Sequence, residues 1–527
     1  MRDKPDRYLK WTLIILVSFF TFSSLFSKLG YENINVDQFL WYERSENFFK
    51  AIKDGKLSDT YQQYHPGVTL MYLIGLGQFS YRLFTGGISN QSNIDYQNYG
   101  LYNFHTKLYV VIFCLSILIF SSFLVYKITK SKFISVSFFV LLMSESYFIG
   151  IIRNLHMDGI LTVLIFSSVM SFYIGCREIS VKYFVISGIL TGLGFLTKSV
   201  SFLIPLFCLI IFIPTLLRNK KDSKKLIKLG ILWTFISFLV FFSLFPALWV
   251  SPFETVSKII RDGVLNTGVS GSFNHYLNNT MTDDPGLFFY VKVLAYRITP
   301  VIQILLLVFP IELIALGFKR RGSKKLSSSD IYVFSFIFSV IYFIVFTLMK
   351  KKTDRYMAPL YPFLALLASY SLSLLSESFK ELKIDKISKA ILGTIVLGLS
   401  VLYYSWNFFT IKPYFLAYYS HLFGGINYAQ REMYINQGGI GVFEIADYLE
   451  SLNLPGDSRV AATNGRELQK VTKYNVEAPF PHMKKEYDLV IVPLQQDGFF
   501  EWKDKVVKTF YIQNQKYWRV YSDLNVR

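Results

Sequence analysis

Two acids, two histidines and a set of cations stand in the short polar stretches of an otherwise apolar chain. Asp37 opens a polar, aromatic-rich stretch, residues 35–69, that ends in His65-Pro66-Gly67-Val68. An acid beyond the end of an apolar run can accept a hydroxyl proton or orient the hydroxyl. The bland alternative is a solvated loop carboxylate. A second cluster, Arg153-Asn154-Leu155-His156-Met157-Asp158, packs a cation, an imidazole and an acid into six residues. Asp158 begins the next apolar run, where it could also serve as a helix cap. Lys198 sits alone in GFLTKSVSF, and a charge in so apolar a setting is a functional candidate by default. The run Lys350-Lys351-Lys352-Thr353-Asp354-Arg355-Tyr356 brings several cations together, and cations of this density suit a phosphate anion. Arg297 in VLAYRITP and Glu145 inside an apolar run complete the set.

The elements that must position these residues are membrane helices. The chain of 527 residues is 52% hydrophobic and 18% aromatic, and its apolar runs of about 20 residues repeat. The reading gives about eleven spans: residues 11–29, 107–126, 133–152, 159–175, 183–197, 201–217, 226–250, 298–317, 331–349, 357–375 and 391–410. The net charge of +19 sits mostly in short clusters between the spans. With the N-terminus inside, every inner loop is basic, as the positive-inside rule asks. Residues 66–84 are apolar too, and counting them as a span would invert every later loop. They read as an amphipathic or re-entrant helix at the outer interface. The run Lys350–Arg355 then breaks the rule, because it is the densest basic stretch on the outer side. All six histidines fall on that side.

The tail changes character. VFEIADYLESL reads as a helix. SRVAAT, YDLVIVPL and TFYIQNQKYWRVYS read as strands, so a small α/β domain is expected. The expected division is a membrane domain over residues 1–410, with outer loops at 30–106 and 251–297, and an outer C-terminal domain over 411–527. Cys114, Cys176 and Cys208 lie in apolar runs without metal-ligand spacing, which argues against disulfides and a zinc framework. There is no GxxxxGK[ST] loop, no GxGxxG after a strand and no HExxH. Basic clusters between spans argue orientation rather than nucleic-acid binding.

In this order the motifs resemble the C-type glycosyltransferases, most closely the dolichyl-phosphate-mannose protein mannosyltransferases and the lipid A aminoarabinose transferases. The resemblance rests on Asp37 after the first span, HPGVT at 65–69, RNLHMDGILTV at 153–163 and GLGFLTKS at 192–199. FPALWVSP at 245–252, YRITP at 296–300, KKKTDRYMAPLYP at 350–362 and PYFLAYYSHLFGG at 413–425 extend it over most of the chain. It implies an all-α polytopic membrane protein with a small C-terminal soluble α/β domain. It implies a plasma-membrane enzyme that takes a sugar from a polyprenyl-phosphate donor to a protein, lipid or glycan acceptor on the extracytoplasmic face. It makes Asp37 and Asp158 the catalytic acids. It places Lys198 and Arg355 near the lipid phosphate and His65 in the site loop; the residues themselves add Arg297 and Lys352 as phosphate candidates and Arg153, His156 and Tyr356 as binding candidates. Many relatives have a second acid where this chain has Gln38, and another where it has Tyr64. No cofactor is assigned on this basis, and a divalent metal is left open.

The chemistry of the residues agrees with the resemblance. A glycosyl phosphate loses phosphate as its anomeric carbon becomes cationic. Catalysis needs cations on the phosphate and an acid at the acceptor hydroxyl. The rival reading is a transporter or lipid-linked-sugar flippase without transferase activity. That class favours internal symmetry and helices broken at the midplane. A relative that has lost activity and serves as an assembly subunit is a third reading.

Overall fold

The computed structural model describes residues 16, 18–86, 94–269, 275–277, 280–319, 326–327, 329–381, 386–433, 435, 439–478, 487–495, 505–512 and 514–522. Among these, six helices are long and apolar enough to cross a membrane, or eight if two bent pairs each count as one span. The chain is therefore an integral membrane protein, and further helices at Pro300–Lys319 and Lys386–Ile411 overlie the expected spans 298–317 and 391–410. The expected first span falls partly on residues outside the described set, and the eleventh lies within the helix Lys386–Ile411. The fifth is the helix Val181–Thr197, apolar but shorter than the rest.

One expected span is broken, and a second sharp bend stands where the expected span at 298–317 begins. Lys132–Met143 and Ser146–Arg153 meet at 71°, and Phe289–Arg297 and Pro300–Pro310 meet at 119°. The physical reason for the second is Pro300, which lacks an N–H and disfavours helical backbone in the residue before it. The two breaks lie together. Glu145, buried in the first break, accepts hydrogen bonds from the backbone N–H of Thr299 (3.0 Å) and from its hydroxyl, in the second. The stretch at residues 66–84 forms the helix Val68–Thr85, which is not among the six.

Met157–Glu178 is the axle of the membrane part, its spanning window wholly buried. Val181–Thr197 follows after two residues and packs back along it. Ser168, Ser187 and Thr191 hydrogen-bond across this hairpin, Ser168 and Thr191 at 2.6 Å. Small residues at such contacts let helices approach closely.

The tail forms a five-stranded mixed sheet. In chain order the strands are β1 (His275–Leu277) and β2 (Thr280–Thr282) in a separate hairpin, then β3 (Val460–Ala462), β4 (Val476–Glu477), β5 (Leu489–Pro493), β6 (Lys505–Ile512) and β7 (Gln515–Ser522). The sheet order is β4-β3-β5-β7-β6, with β3 parallel to β4 and β5, and β7 antiparallel to β5 and β6. The run YDLVIVPL becomes the central strand because LVIVP is buried throughout. The helix Val442–Ser451 fits the sequence expectation, and TFYIQNQKYWRVYS resolves into the β6–β7 hairpin. The sheet is fastened to the start of the chain. Asn33 bridges Ile440, and the Trp518 indole donates to the carbonyl of Ile440 at 2.8 Å.

Beside this junction a buried ion group joins three elements. Lys107 donates to Glu32 at 3.0 Å and to the carbonyl and side-chain oxygens of Asn33 at 3.1 and 3.0 Å. Arg153 Nε lies 3.6 Å from Glu32, while its other nitrogens donate to the carbonyls of Ser27 (3.0 Å) and Ser24. Removing one partner of a buried group strands the other charge. Lys107→Met should lower unfolding free energy by about 3–5 kcal/mol. Lys127→Met, at the half-exposed pair with Glu178, should cost about 1 kcal/mol or less. Thermal unfolding of the two variants in the same lipid environment checks the contrast.

Candidate active site

Four chain segments converge on one buried charge cluster. The hairpin Met157–Glu178/Val181–Thr197 explains two of them. It leaves the site at Asp158 and returns to it at Lys198, so residues 40 apart meet: Lys198 Nζ donates to Asp158 Oδ1 at 2.7 Å. Asp158 lies in the first turn of one helix, and Lys198 caps the C-terminus of the next. Each charge is thus opposite in sign to the helix end that it occupies, a favourable placement. Asp158 is not itself the cap. His156 occupies the N-cap position, in extended backbone.

Asp37 sits in the first turn of the helix Val36–Lys53, after Asn35, whose side chain accepts from the Asp37 N–H at 3.2 Å. Arg355 reaches both acids, with Nη2 3.2 Å from Asp37 Oδ2 and Nε 3.5 Å from Asp158 Oδ2. His156 lies between the acids, Nε2 3.5 Å from Asp37 and Nδ1 2.8 Å from Asp158. The second contact is short but poorly aligned, so His156 Nδ1, Asp158 Oδ2 and Arg355 Nε make no well-formed hydrogen bond. Lys198 also stands over the Tyr356 ring at 4.5 Å.

The HPGVT turn docks on the Lys198 end of the hairpin. His65 Nδ1 is 2.9 Å from the Ser199 hydroxyl, and the Gly67 N–H donates to the Thr197 carbonyl at 3.1 Å. Gly67 has φ +61°, and a Cβ there would stand 2.1 Å from the Trp41 ring, so this turn requires glycine.

A cavity of about 670 Å³ opens over the cluster. Asp37, His65, His156, Lys198, Lys352, Arg355 and Tyr356 all line it. A narrower, mostly apolar cavity of about 160 Å³ adjoins, walled by Phe202, Leu203, Phe346 and Met349. The two share His65, Lys198, Lys351 and Tyr356.

Three expected site residues stand elsewhere. Asp158 is buried beneath the cavity wall, in contact with Lys198, Arg355 and His156. Arg297 is fully buried between Tyr147 and Tyr419, with ring centroids 4.1 and 3.9 Å from its guanidinium. It donates to Asp354 at 3.0 and 2.7 Å and to the carbonyls of Leu416 and Tyr418 at 2.9 and 2.7 Å. Its donors are taken up within the protein, so it corrects the expectation of a phosphate ligand. Asp354 in turn accepts from the Arg355 N–H at 2.7 Å, so Arg297 steadies the backbone that carries Arg355. Arg153 belongs to the Glu32–Lys107 group, outside the cavity. Lys352 faces the cavity and donates to the Gly286 carbonyl at 3.0 Å.

Sequence reading missed Arg44, Trp41, Arg466 and Glu467, which also line the cavity. The spacing of Asp37, Trp41 and Arg44 at i, i+4 and i+7 was the available signal. Among the described residues no group of three His, Cys, Asp or Glu side chains converges as metal ligands. Asp37 and Asp158 instead share Arg355. This donor set does not fit a metal.

Residues 101–248 match the family model described as dolichyl-phosphate-mannose-protein mannosyltransferase. ArnT from Cupriavidus metallidurans, bound to undecaprenyl phosphate, aligns over 97% of this chain and 98% of its own at 12% identity, with a TM-score of 0.54. Its apo form aligns over the same shares at 11% identity, with a TM-score of 0.55. The chain has the ArnT fold. No curated protein matches the sequence.

Electrostatics restrict what Asp37 can do. The His156 contact at 3.5 Å and the Arg355 charge hold its carboxyl well below the usual range, against the opposing effect of burial. So low a carboxyl is a weak base, suited to orienting a hydroxyl and stabilising its developing positive charge. Burial, with the Lys198 charge adding to it, pushes the His65 imidazole well below its ordinary value. Both lowered groups lose stability as pH falls, in different windows. The Asp37 contribution is full above its unfolded value of about 4 and falls away below it. The His65 penalty is absent above its unfolded value of about 6.5 and grows as pH drops below it. In thermal unfolding across pH, His65→Gln should flatten the slope below about pH 6.5. Asp37→Asn should flatten only the limb below about pH 4.

Proposed function

We propose that this protein is a membrane glycosyltransferase that moves a sugar from a polyprenyl-phosphate donor to an acceptor hydroxyl. The observation that carries the reading is one cavity with two unlike ends. A cation-rich polar chamber holds an oriented carboxylate, and an apolar slot meets it at Lys198, Lys351 and Tyr356. A lipid phosphate has this shape and polarity, with an anionic head and an apolar tail. The similarity to ArnT bound to undecaprenyl phosphate supports the same class of donor.

In this mechanism the donor phosphate lies among Lys198, Lys351 and Arg355. The bond between the anomeric carbon and the phosphate oxygen breaks, and the cations stabilise the charge that gathers on the leaving phosphate. The acceptor oxygen attacks the anomeric carbon while Asp37 holds its hydroxyl. Its proton leaves with the phosphate or through Asp37. The rest of the assignment is the same proposal: the N-terminus cytoplasmic, the site and the tail sheet extracytoplasmic, and residues 411–527 a separate domain over the site. The transferred group is a hexose or pentose.

Purified protein in lipid nanodiscs, given a panel of polyprenyl-phosphate sugars, should release polyprenyl phosphate from at least one of them. Asp37→Asn should lower transfer by about 10²-fold or more. Lys198→Ala should lower both donor affinity and transfer. No donor turnover across the panel, or full activity in Asp37→Asn, would contradict the proposal.

A further inference from the structure

One buried titratable group beside Asp37 has no part in the transfer step. His156 is 5% exposed, yet it lines the polar chamber together with Asp37. It occupies the N-cap position of Met157–Glu178 in extended backbone, and this sets its ring between the two acids. Nδ1 stands 2.8 Å from Asp158, and Nε2 stands 3.5 Å from Asp37. The other charged and titratable groups packed around this cluster are Arg355, Lys198 and His65.

The cluster is balanced without a charge on the ring. Asp37 is matched by Arg355 at 3.2 Å and Asp158 by Lys198 at 2.7 Å. In a neutral imidazole one nitrogen carries the proton and the other a lone pair, and the partner of one nitrogen settles the tautomer. Asp158 is the nearer acid, and a carboxylate paired with lysine can only accept. The proton therefore belongs on Nδ1 and the lone pair on Nε2. Two acceptors, Nε2 and the Asp37 carboxylate, then face each other at 3.5 Å with no proton between them. A hydroxyl entering beside them supplies it. The Nδ1 contact is short but off its axis, a geometry that tightens when substrate fills a site.

Asp37 is a poor resting place for that proton. Its carboxyl is held well below the usual range, and a weak base gains little by accepting. The neighbouring imidazole is the better acceptor, and the imidazolium formed there would stand between two carboxylates that stabilise it.

We infer that His156 Nε2 is the general base of the transfer, which takes the proton of the acceptor hydroxyl held by Asp37. The acceptor oxygen keeps the O–H electron pair and bonds to the anomeric carbon. The donor phosphate leaves with the electron pair of the broken carbon–oxygen bond, and the imidazolium returns its proton to water in the chamber. The inference rests on the glycosyl-transfer reading, and it names the end point of the proton that passes by Asp37.

The test uses the full chain in nanodiscs with a polyprenyl-phosphate sugar that the wild type turns over, and reads the release of polyprenyl phosphate. His156→Gln should lower kcat by about 10²-fold or more, with the donor KM within about threefold of wild type, because the phosphate cations are untouched. His156→Gly keeps an acceptable N-cap residue. It should be as slow and should regain rate with added imidazole. Across substituted imidazoles of similar size the rescued rate should rise with their basicity, which a packing role would not produce. A His156→Gln protein with wild-type kcat overturns the inference, as does a His156→Gly protein whose rescue is absent or indifferent to basicity. A wild type that releases no polyprenyl phosphate from any donor loses the transfer reading and the base with it. Full turnover in His156→Gln removes the base alone.

Discussion

The active region depends on one shared guanidinium. Arg355 spans two carboxylates that belong to segments more than 100 residues apart in the chain, Asp37 on the helix Val36–Lys53 and Asp158 at the head of the buried axle. Without it, two acids would face each other across His156 in a partly desolvated wall, and like charges that close raise each other's protonation. With it, and with Lys198 on the far side of Asp158, the acids stay ionised and fixed. The arrangement has a chemical consequence: a carboxylate held this way orients better than it accepts. Burying so many charges is tolerable only because each has an opposite neighbour.

The fold supplies that cluster through helix ends. The hairpin of Met157–Glu178 and Val181–Thr197 brings an N-terminus and a C-terminus to the same depth, and an acid and a lysine sit on them. The 3₁₀ segment Asp354–Leu360 contributes Arg355, with Asp354 locked behind it by Arg297. The broken spans serve the same region. Their kinks are joined through Glu145 and Thr299, two residues from Arg297. Polar residues deep in the membrane part thus divide into those that face the cavity and those that hold the breaks together.

The membrane class, the α/β tail and the convergence of Asp37, His65, His156, Lys198, Arg355 and Tyr356 were legible because each rests on a local signal. These were apolar length, strand alternation, or a charge out of place in an apolar run. Arg297 and Arg153 carried the same out-of-place signal, yet they are buried fasteners. Their partners, Asp354 and Glu32, are 57 and 121 residues away, and sequence spacing does not show which charge a buried arginine will meet. Asp158 was legible as a site acid but not as a buried one, because depth beneath a wall is a tertiary property. The bends at Pro300 and at Ser144–Glu145, which turn apolar runs into two directions, were not legible from apolar length alone. Arg44 and Arg466 were passed over because each looks like an ordinary surface arginine until the tail sheet brings them to one cavity.

The proposed account makes one placement that every other part relies on, the lipid phosphate at the junction of the apolar slot and the charged chamber. An experimental structure of the protein with undecaprenyl phosphate tests it directly. The account predicts the phosphate within hydrogen-bonding distance of Lys198, Lys351 or Arg355, with the first isoprene units along Phe202, Leu203, Phe346 and Met349. A phosphate bound away from these cations, with the slot empty of lipid, would contradict it.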